Sequence, residues 1–338
     1  MGVGNQMTAD THGSRWPHRL GVLLVVTVFP LIWMGGLVTS TQAGMAVPDW
    51  PGTYGYNLFL YPWQEWFFGP WDLFVEHGHR LLGALAGLIT VGLVIACFGT
   101  RQPKWVCHFS IVLLVLIIAQ GALGGIRVLM DERMFALIHG CTGPLFFAFA
   151  VSFSVTTSRW WWRPLIPTSV GSRRARSLIN MGRMLICLAF VQLVVGALLR
   201  HFPLDWRPAG FVHTAYLHVA LAVLLVLLTA VHAIWIARWT AWSDGLRASM
   251  LWLVHLVVLQ FLLGLTTWLL RYGFPLWFAD WSIAQYYVIP HHEFWQTVLI
   301  TGHVAMGSLI LAFWTVHVVR GGRWWSIYRT PDSWEKGR

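Results

Sequence analysis

The stretch Glu76–Phe98 reads EHGHRLLGALAGLITVGLVIACF, and its two parts make opposite demands. From Leu81 to Phe98 no residue is charged, and the run is about long enough to cross a hydrocarbon core of about 30 Å as a helix. The five residues before it carry a carboxylate, two imidazoles and a guanidinium, groups that are expensive near lipid unless they have a partner or a task. Apolar runs of the same kind recur at Leu20–Leu37, Val106–Val128, Met134–Val155, Leu178–Leu199, Val212–Ile236, Met250–Leu270 and Val298–Val319. Eight membrane-spanning helices are therefore expected, because only a helix satisfies its own backbone in lipid without closing a barrel.

Composition agrees. Of the 338 residues 57% are hydrophobic and 11% charged, less than half the share of charge usual in a soluble domain. The net charge of +10 could suggest nucleic acid, but the basic residues alternate by loop. Arg15, Arg19, Arg101, Lys104, Arg159, Arg163, Arg173, Arg174, Arg176, Arg183, Arg238, Arg247 and the tail from Arg320 fall on one side. Arg80, Arg127, Arg133, Arg200, Arg207 and Arg271 are the chief ones on the other. The positive-inside rule then puts both termini in the cytoplasm and makes lipid, not nucleic acid, the partner. The first apolar run follows Arg15 and Arg19 as in a signal peptide, but it exceeds a typical h-region and reads as a retained helix. Cys97, Cys107, Cys141 and Cys187 fall inside apolar runs, which indicates small core residues rather than a disulfide or zinc framework.

The chain contains a repeat of four helices. Gln120-x-x-x-Gly124, Gln192-x-x-x-Gly196 and Gln260-x-x-x-Gly264 recur in helices three, five and seven, an amide and a gap on one face that suit helix packing. The even helices each carry a histidine followed four residues later by Gly or Ala: His79 and Gly83, His139 and Gly143, His218 and Ala222, His303 and Gly307. Positions i and i+4 share a helix face, so the small residue clears space beside the imidazole for a flat macrocycle. The basic joint at 159–177, with Pro164 and Pro167, divides a tail (1–19) and a first four-helix half (20–158) from a second half (178–320) and a tail (321–338). The fold expected is an all-α integral membrane protein of two pseudo-symmetric four-helix bundles.

A single intramembrane histidine can simply hydrogen-bond to a neighbouring helix. Four in register allow each bundle to hold an iron between two imidazoles, and a helical bundle readily buries haem. Zinc would need more ligands converging, and no H-E-x-x-H occurs; Pro290-His-His-Glu293 is the one dense cluster, at a loop edge. Glu76 stands three residues before His79, where the other repeats have Ala136, Ala215 and Ile300. A carboxylate there can accept protons at a ring edge, or be no more than a solvated helix N-terminus. Arg80 can pair with a propionate. The outer loop Thr41–Phe74, rich in Trp50, Trp63, Trp66 and Trp71, is either an aromatic belt or a lid over the first bundle.

The string Gly35–Pro51, GGLVTSTQAGMAVPDWP, followed by Glu76-His-Gly-His-Arg80, resembles the haem A synthase family of cytochrome oxidase assembly proteins. The resemblance covers nearly the whole chain. It implies an oxidoreductase that converts a ring methyl of haem O to the formyl of haem A, with haem b as bound cofactor. It assigns His218 and His303 to the haem b iron and His79 and His139 to the iron of the substrate haem, with Arg80 among the substrate-haem residues and Glu76 as the catalytic group. Implied partners are haem O, haem O synthase and cytochrome oxidase subunits, and the implied place is the bacterial cell membrane.

Two departures stand out: many bacterial members carry a cysteine pair flanking the loop motif, where this chain has Val47 and Thr53, and His218 lacks a following Arg, which leaves His213 as an alternative ligand. A prenyl-transferring haem O synthase is disfavoured, because no pair of Asp-rich motifs is present. Two other classes remain, a membrane cytochrome b that only carries electrons and a haem-presenting assembly factor. The carrier draws support from His232 and His317, each fourteen residues after a proposed ligand, a spacing that suits a second, inner haem; the same two residues also fit ordinary helix ends.

Overall fold

The computed structural model describes residues 14–162, 172–202, 206–240, 246–274, 280, 281, 284, 287–289 and 293–327. Pro164, Pro167 and the Pro290–His292 part of the loop cluster lie outside the described residues. Eight long helices follow one another: α1 (Trp16–Ser40), α2 (Trp71–Gly99), α3 (Lys104–Met130), α4 (Arg133–Thr156), α5 (Ser172–Arg200), α6 (Pro208–Trp239), α7 (Leu246–Tyr272) and α8 (Phe294–Ile327). All eight are long and apolar enough to cross a membrane, and among the described residues there is no β-strand beyond one bridge between Thr53 and Tyr56.

Each expected apolar run lies within one of these helices. The largest extension is in α2, which begins at Trp71, ten residues before its apolar run. Pro70 precedes it, a residue suited to a helix start because it lacks the N–H that a first turn leaves unpaired. This extension carries Glu76, His77, His79 and Arg80 on ordered helix rather than on loop. Between α3 and α4 the chain turns in two residues, with Asp131 in the left-handed conformation (φ 48°) that a short polar side chain tolerates.

Helices α1 to α4 pack in a ring in which each touches the next and α4 returns to α1; α5 to α8 do the same. The rings meet through α8, which packs against α1 and α4, and through α4 against α5. Leu24, Val28, Leu93, Leu113, Phe147 and Phe153 fill one core, and Leu185, Ile236, Leu253, Leu311 and Trp314 a second. Outward-facing positions are also apolar, including Leu88, Ile95, Val115, Ile118, Leu227 and Trp252, each more than half exposed. Water would penalise that surface at roughly 25 cal/mol per Å², whereas lipid does not. Cys97, Cys107 and Cys141 are buried as expected, but Cys187 is exposed and is no core residue; all four are free thiols.

Candidate functional site

Glycine decides where the four histidines sit. His79 of α2 lies on Gly35 of α1, His139 of α4 on Gly124 of α3, His218 of α6 on Gly196 of α5, and His303 of α8 on Gly264 of α7. A Cβ added at those glycines would stand 2.9, 3.3, 2.9 and 3.0 Å from the respective imidazole Cε1. The Gln-x-x-x-Gly motif, which suggested packing alone, is therefore the counterpart of the histidine on the next helix. In α1 the same seat occurs without the glutamine, and Leu31 stands in its place four residues before Gly35.

The carbonyl one turn before the glycine orients the ring of His79. Nδ1 of His79 is 3.2 Å from the Leu31 carbonyl oxygen. The carbonyls of Gln120, Gln192 and Gln260 act on His139, His218 and His303 from the corresponding position, although Nδ1 there falls outside hydrogen-bond geometry and has no other partner. Bonded to the Leu31 carbonyl, His79 keeps its proton on Nδ1 and leaves the Nε2 lone pair for a metal, whereas Nε2 of His218 lies 3.4 Å from the Gln192 amide nitrogen. The Gln192 amide also donates to the His218 carbonyl (2.9 Å), tying α5 to α6 beside the ring.

The four rings form two matched pairs. His79 and His139 have ring centres 6.3 Å apart and planes at 82°; His218 and His303 have centres 6.3 Å apart and planes at 79°. A first-row metal sits about 2.0–2.1 Å from an imidazole nitrogen, as zinc does, and that nitrogen lies about 1.1 Å from its ring centre, so one iron between opposed rings separates the centres by about 6.3 Å. Gly83 and Gly143 are only partly buried, yet an added Cβ would meet nothing within 4 Å. Nothing therefore crowds the helix face beside His79 and His139, although at Gly307, beside His303, the Gln260 side chain would lie 3.5 Å from such a Cβ; the spacing of the rings and the small residues beside them fit haem. His213, the alternative ligand, is exposed, and the ring facing His303 is that of His218. Among the described residues no group of three or more His, Cys, Asp or Glu converges on a metal-ion site.

Glu76 and Arg80 are not where their expected roles would leave them free. Glu76 is 3% exposed, which rules out the solvated helix end. One of its oxygens accepts from Arg80 (2.9 Å) and the other from the Val47 N–H (2.9 Å). Arg80 also donates to the carbonyls of Asp49 (2.6 Å), Gly52 (2.7 Å) and Val47 (2.7 Å). The Thr53 hydroxyl and His77 Nδ1 are 2.8 Å apart in the same buried cluster. The two positions that lack cysteine, Val47 and Thr53, are thus held to α2 by hydrogen bonds. Asp49 fastens the next turn, accepting from the N–H groups of Tyr54 (2.8 Å) and Gly55 (2.9 Å). Burial alone would raise its carboxyl, but those two bonds and the Arg80 charge hold it below its ordinary value.

The loop reaches α3 as well. The Trp50 ring rests on Gly125, where a Cβ would meet it at 2.4 Å, and Arg127 lies against Gly44 with its guanidinium donating to that carbonyl (3.0 Å). Trp63 points outward, 60% exposed, while Trp66 stacks on Phe74 and meets His77 edge-on. Sequence reasoning did not single out Trp50's seat or His77, and named Thr53 only as a position without cysteine; the adjoining Gly124-Gly125 and the His77 in the basic run were the available signals.

The inner histidines, for which the sequence left a second haem or ordinary helix ends open, meet each other directly. Nε2 of His232 and Nε2 of His317 are 3.0 Å apart, and Ser249 Oγ lies 2.8 Å from His317 Nδ1. An iron held between two trans imidazoles needs about 4 Å between those nitrogens. Both rings are buried against Trp314. The two imidazoles are thus closer than an iron between them would allow, and neither reaches water as a helix-end histidine would.

The fold defines a multi-pass helical membrane protein, and its four helix pairs bring two histidine pairs together at matching spacing. Residues 70–203 match the model of the COX15-CtaA cytochrome oxidase assembly protein family. The chain is 27% identical over 118 residues to the Heme A synthase of Geobacillus thermodenitrificans, a match that covers 34% of this chain and 35% of that relative. The alignment thus spans about a third of the relative's length. Over the part of the chain they cover, both matches agree with the resemblance to the haem A synthase family seen in the sequence.

Proposed function

We propose that the protein is a haem A synthase-like oxidoreductase of the cell membrane that converts the ring methyl of haem O to the formyl of haem A for cytochrome oxidase. The observation carrying this reading is the matched spacing of the two histidine pairs, 6.3 Å in each, on glycine seats that recur in all four helix pairs. In this reading the two rings are pseudo-symmetric halves (20–158 and 178–320) joined by a basic linker (159–177), and both terminal segments are cytoplasmic. Haem O synthase and oxidase subunits would be its partners in supply and delivery.

His218 and His303 hold haem b, which when bound supplies a one-electron redox centre. His79 and His139 bracket the substrate haem. The chain's own contribution at that pocket is positioning and exclusion of water. Leu31 and Gly35 fix the His79 ring, while Trp50, the Arg80 clamp and the Glu76 carboxylate close the loop over it. Glu76 lies one turn from His79 and is the one carboxylate in the buried cluster, which supports its assignment beside the reacting edge as proton acceptor. Arg80, with its donors directed at four acceptors, supports the substrate pocket as a clamp on the loop.

The reading that the protein only carries electrons loses its main support with the direct His232–His317 contact. Expression in a host that makes haem O but not haem A, followed by pigment analysis of the membranes, tests the reaction. Formylated haem is the expected product; bound haem b with no formylated haem would refute the enzyme.

A further inference from the structure

Arg200 ends α5 at the junction of the two rings of helices. Its NH2 group donates to the Gly36 carbonyl (2.7 Å) and to Ser40 Oγ (2.7 Å). Ser40 in turn pairs with Thr301 Oγ1 at 2.9 Å, and Thr301 stands two residues before His303. Gly36 adjoins Gly35, the seat of His79. A guanidinium from the second half therefore lies between the elements that position His79 and those that position His303. Both acceptors are neutral, and among the described residues no carboxylate forms an ion pair with it.

A cation placed near lipid with only neutral acceptors keeps much of its desolvation cost, so such a residue marks a site for an anion. Its position at the C-terminus of α5 suits the helix dipole, but that effect falls off within the last turn and supplies no counter-charge. The other half repeats the arrangement. Arg127 follows Gly124 by three residues, as Arg200 follows Gly196 by four, and each donates through NH2 to a carbonyl of the 36–44 segment. Arg127 and Arg80 act electrostatically on His79, Arg127 on His139 and Arg200 on His303, so each histidine pair has an arginine near it. Arg127 has Glu76 and Asp131 as acidic neighbours, whereas among the described residues the charge that acts on Arg200 is that of another arginine, Arg271. Arg80, the basic residue that the sequence pointed to for this purpose, has its donors turned to the loop carbonyls and to Glu76 on its own helix.

We propose that Arg200 is a carboxylate-binding residue that anchors a propionate of the haem held by His218 and His303. This rests on the haem b assignment above and adds the group that fixes the macrocycle's edge. Guanidinium suits the task because its planar fork meets a carboxylate with two donors. The site also ties haem b to the substrate side, since the same guanidinium holds Gly36 and Ser40 of α1.

The test compares ferric protohaem with its dimethyl ester, in which both propionates are uncharged, on the full-length apoprotein by optical titration. The unaltered protein is expected to bind protohaem at least tenfold more tightly than the ester. Arg200→Gln should remove that preference by weakening protohaem and leaving the ester unchanged, and Arg200→Lys should restore part of it. Equal affinity for the two haems in the unaltered protein would overturn the proposal without any variant, as would a preference that survives in Arg200→Gln. Equal weakening of both haems would make Arg200 a packing residue. If the unaltered protein takes up no haem that depends on His218 and His303, the haem b assignment falls as well, which separates the two failures.

Discussion

Adding one methyl group at Gly196 or Gly264 should disturb haem b ligation without touching a ligand. The alanine Cβ would stand 2.9 or 3.0 Å from Cε1 of His218 or His303, whereas ordinary contact begins near 3.4 Å. Helical backbone cannot retreat on one side, so the imidazole must move by about half an ångström or turn about its χ angles, and overpacking of this kind costs roughly 1–3 kcal/mol. If the strain falls on the axial bond, haem affinity drops by roughly tenfold or more, at 1.4 kcal/mol per decade. Gly124→Ala, at 3.3 Å from His139, is the built-in comparison and should be milder than Gly35→Ala at 2.9 Å. The assay is the reduced-minus-oxidised spectrum of purified protein with haem content by pyridine haemochrome. A full complement of six-coordinate low-spin haem b in both Gly196→Ala and Gly264→Ala would refute the claim that these glycines position the ligands.

His218→Ala or His303→Ala should abolish the low-spin haem b spectrum and His213→Ala should not; the reverse pattern would exchange His213 for His218. Glu76→Gln should retain haem b and lose conversion of haem O. Because it also breaks a buried ion pair, a change that costs roughly 3–5 kcal/mol, limited proteolysis should cut residues 41–70 faster, and full activity would remove Glu76 from the chemistry. In the His232→Ala/His317→Ala variant, haem content is expected to stay unchanged, and loss of one equivalent would restore the inner haem. The Asp49 carboxyl is depressed below its unfolded value near 3.8, so its hold on the turn is present at neutral pH and is lost as pH falls through the lowered folded value. Asp49→Asn should therefore loosen the loop at pH 7, measured by proteolysis, and should narrow the difference between pH 7 and strongly acid conditions; an Asn variant as resistant as the parent at pH 7 would count against the carboxylate's role.

The eight helices and the four ligand candidates were legible because lipid leaves a chain few options. Apolar runs of spanning length, basic residues sorted by loop, and histidines with small residues one turn later are local patterns, and the structure keeps each on its helix. Other features required distant segments to be brought together. The meaning of Gln-x-x-x-Gly depended on which imidazole lies on the glycine, a contact across fifteen residues for Gly124 and His139 and thirty-nine for Gly264 and His303. Arg80 and Glu76 could be read as free charges until the loop from Val47 to Gly52 folded back onto them, for a charge in sequence carries no record of its acceptors. The same holds for His232 and His317, whose fourteen-residue spacing from the outer pair fixes depth and helix face but not the 3.0 Å between them. Helical periodicity sets where a side chain points, and only the packing of α6 against its neighbours decides whether an iron or a hydrogen bond fits between two rings.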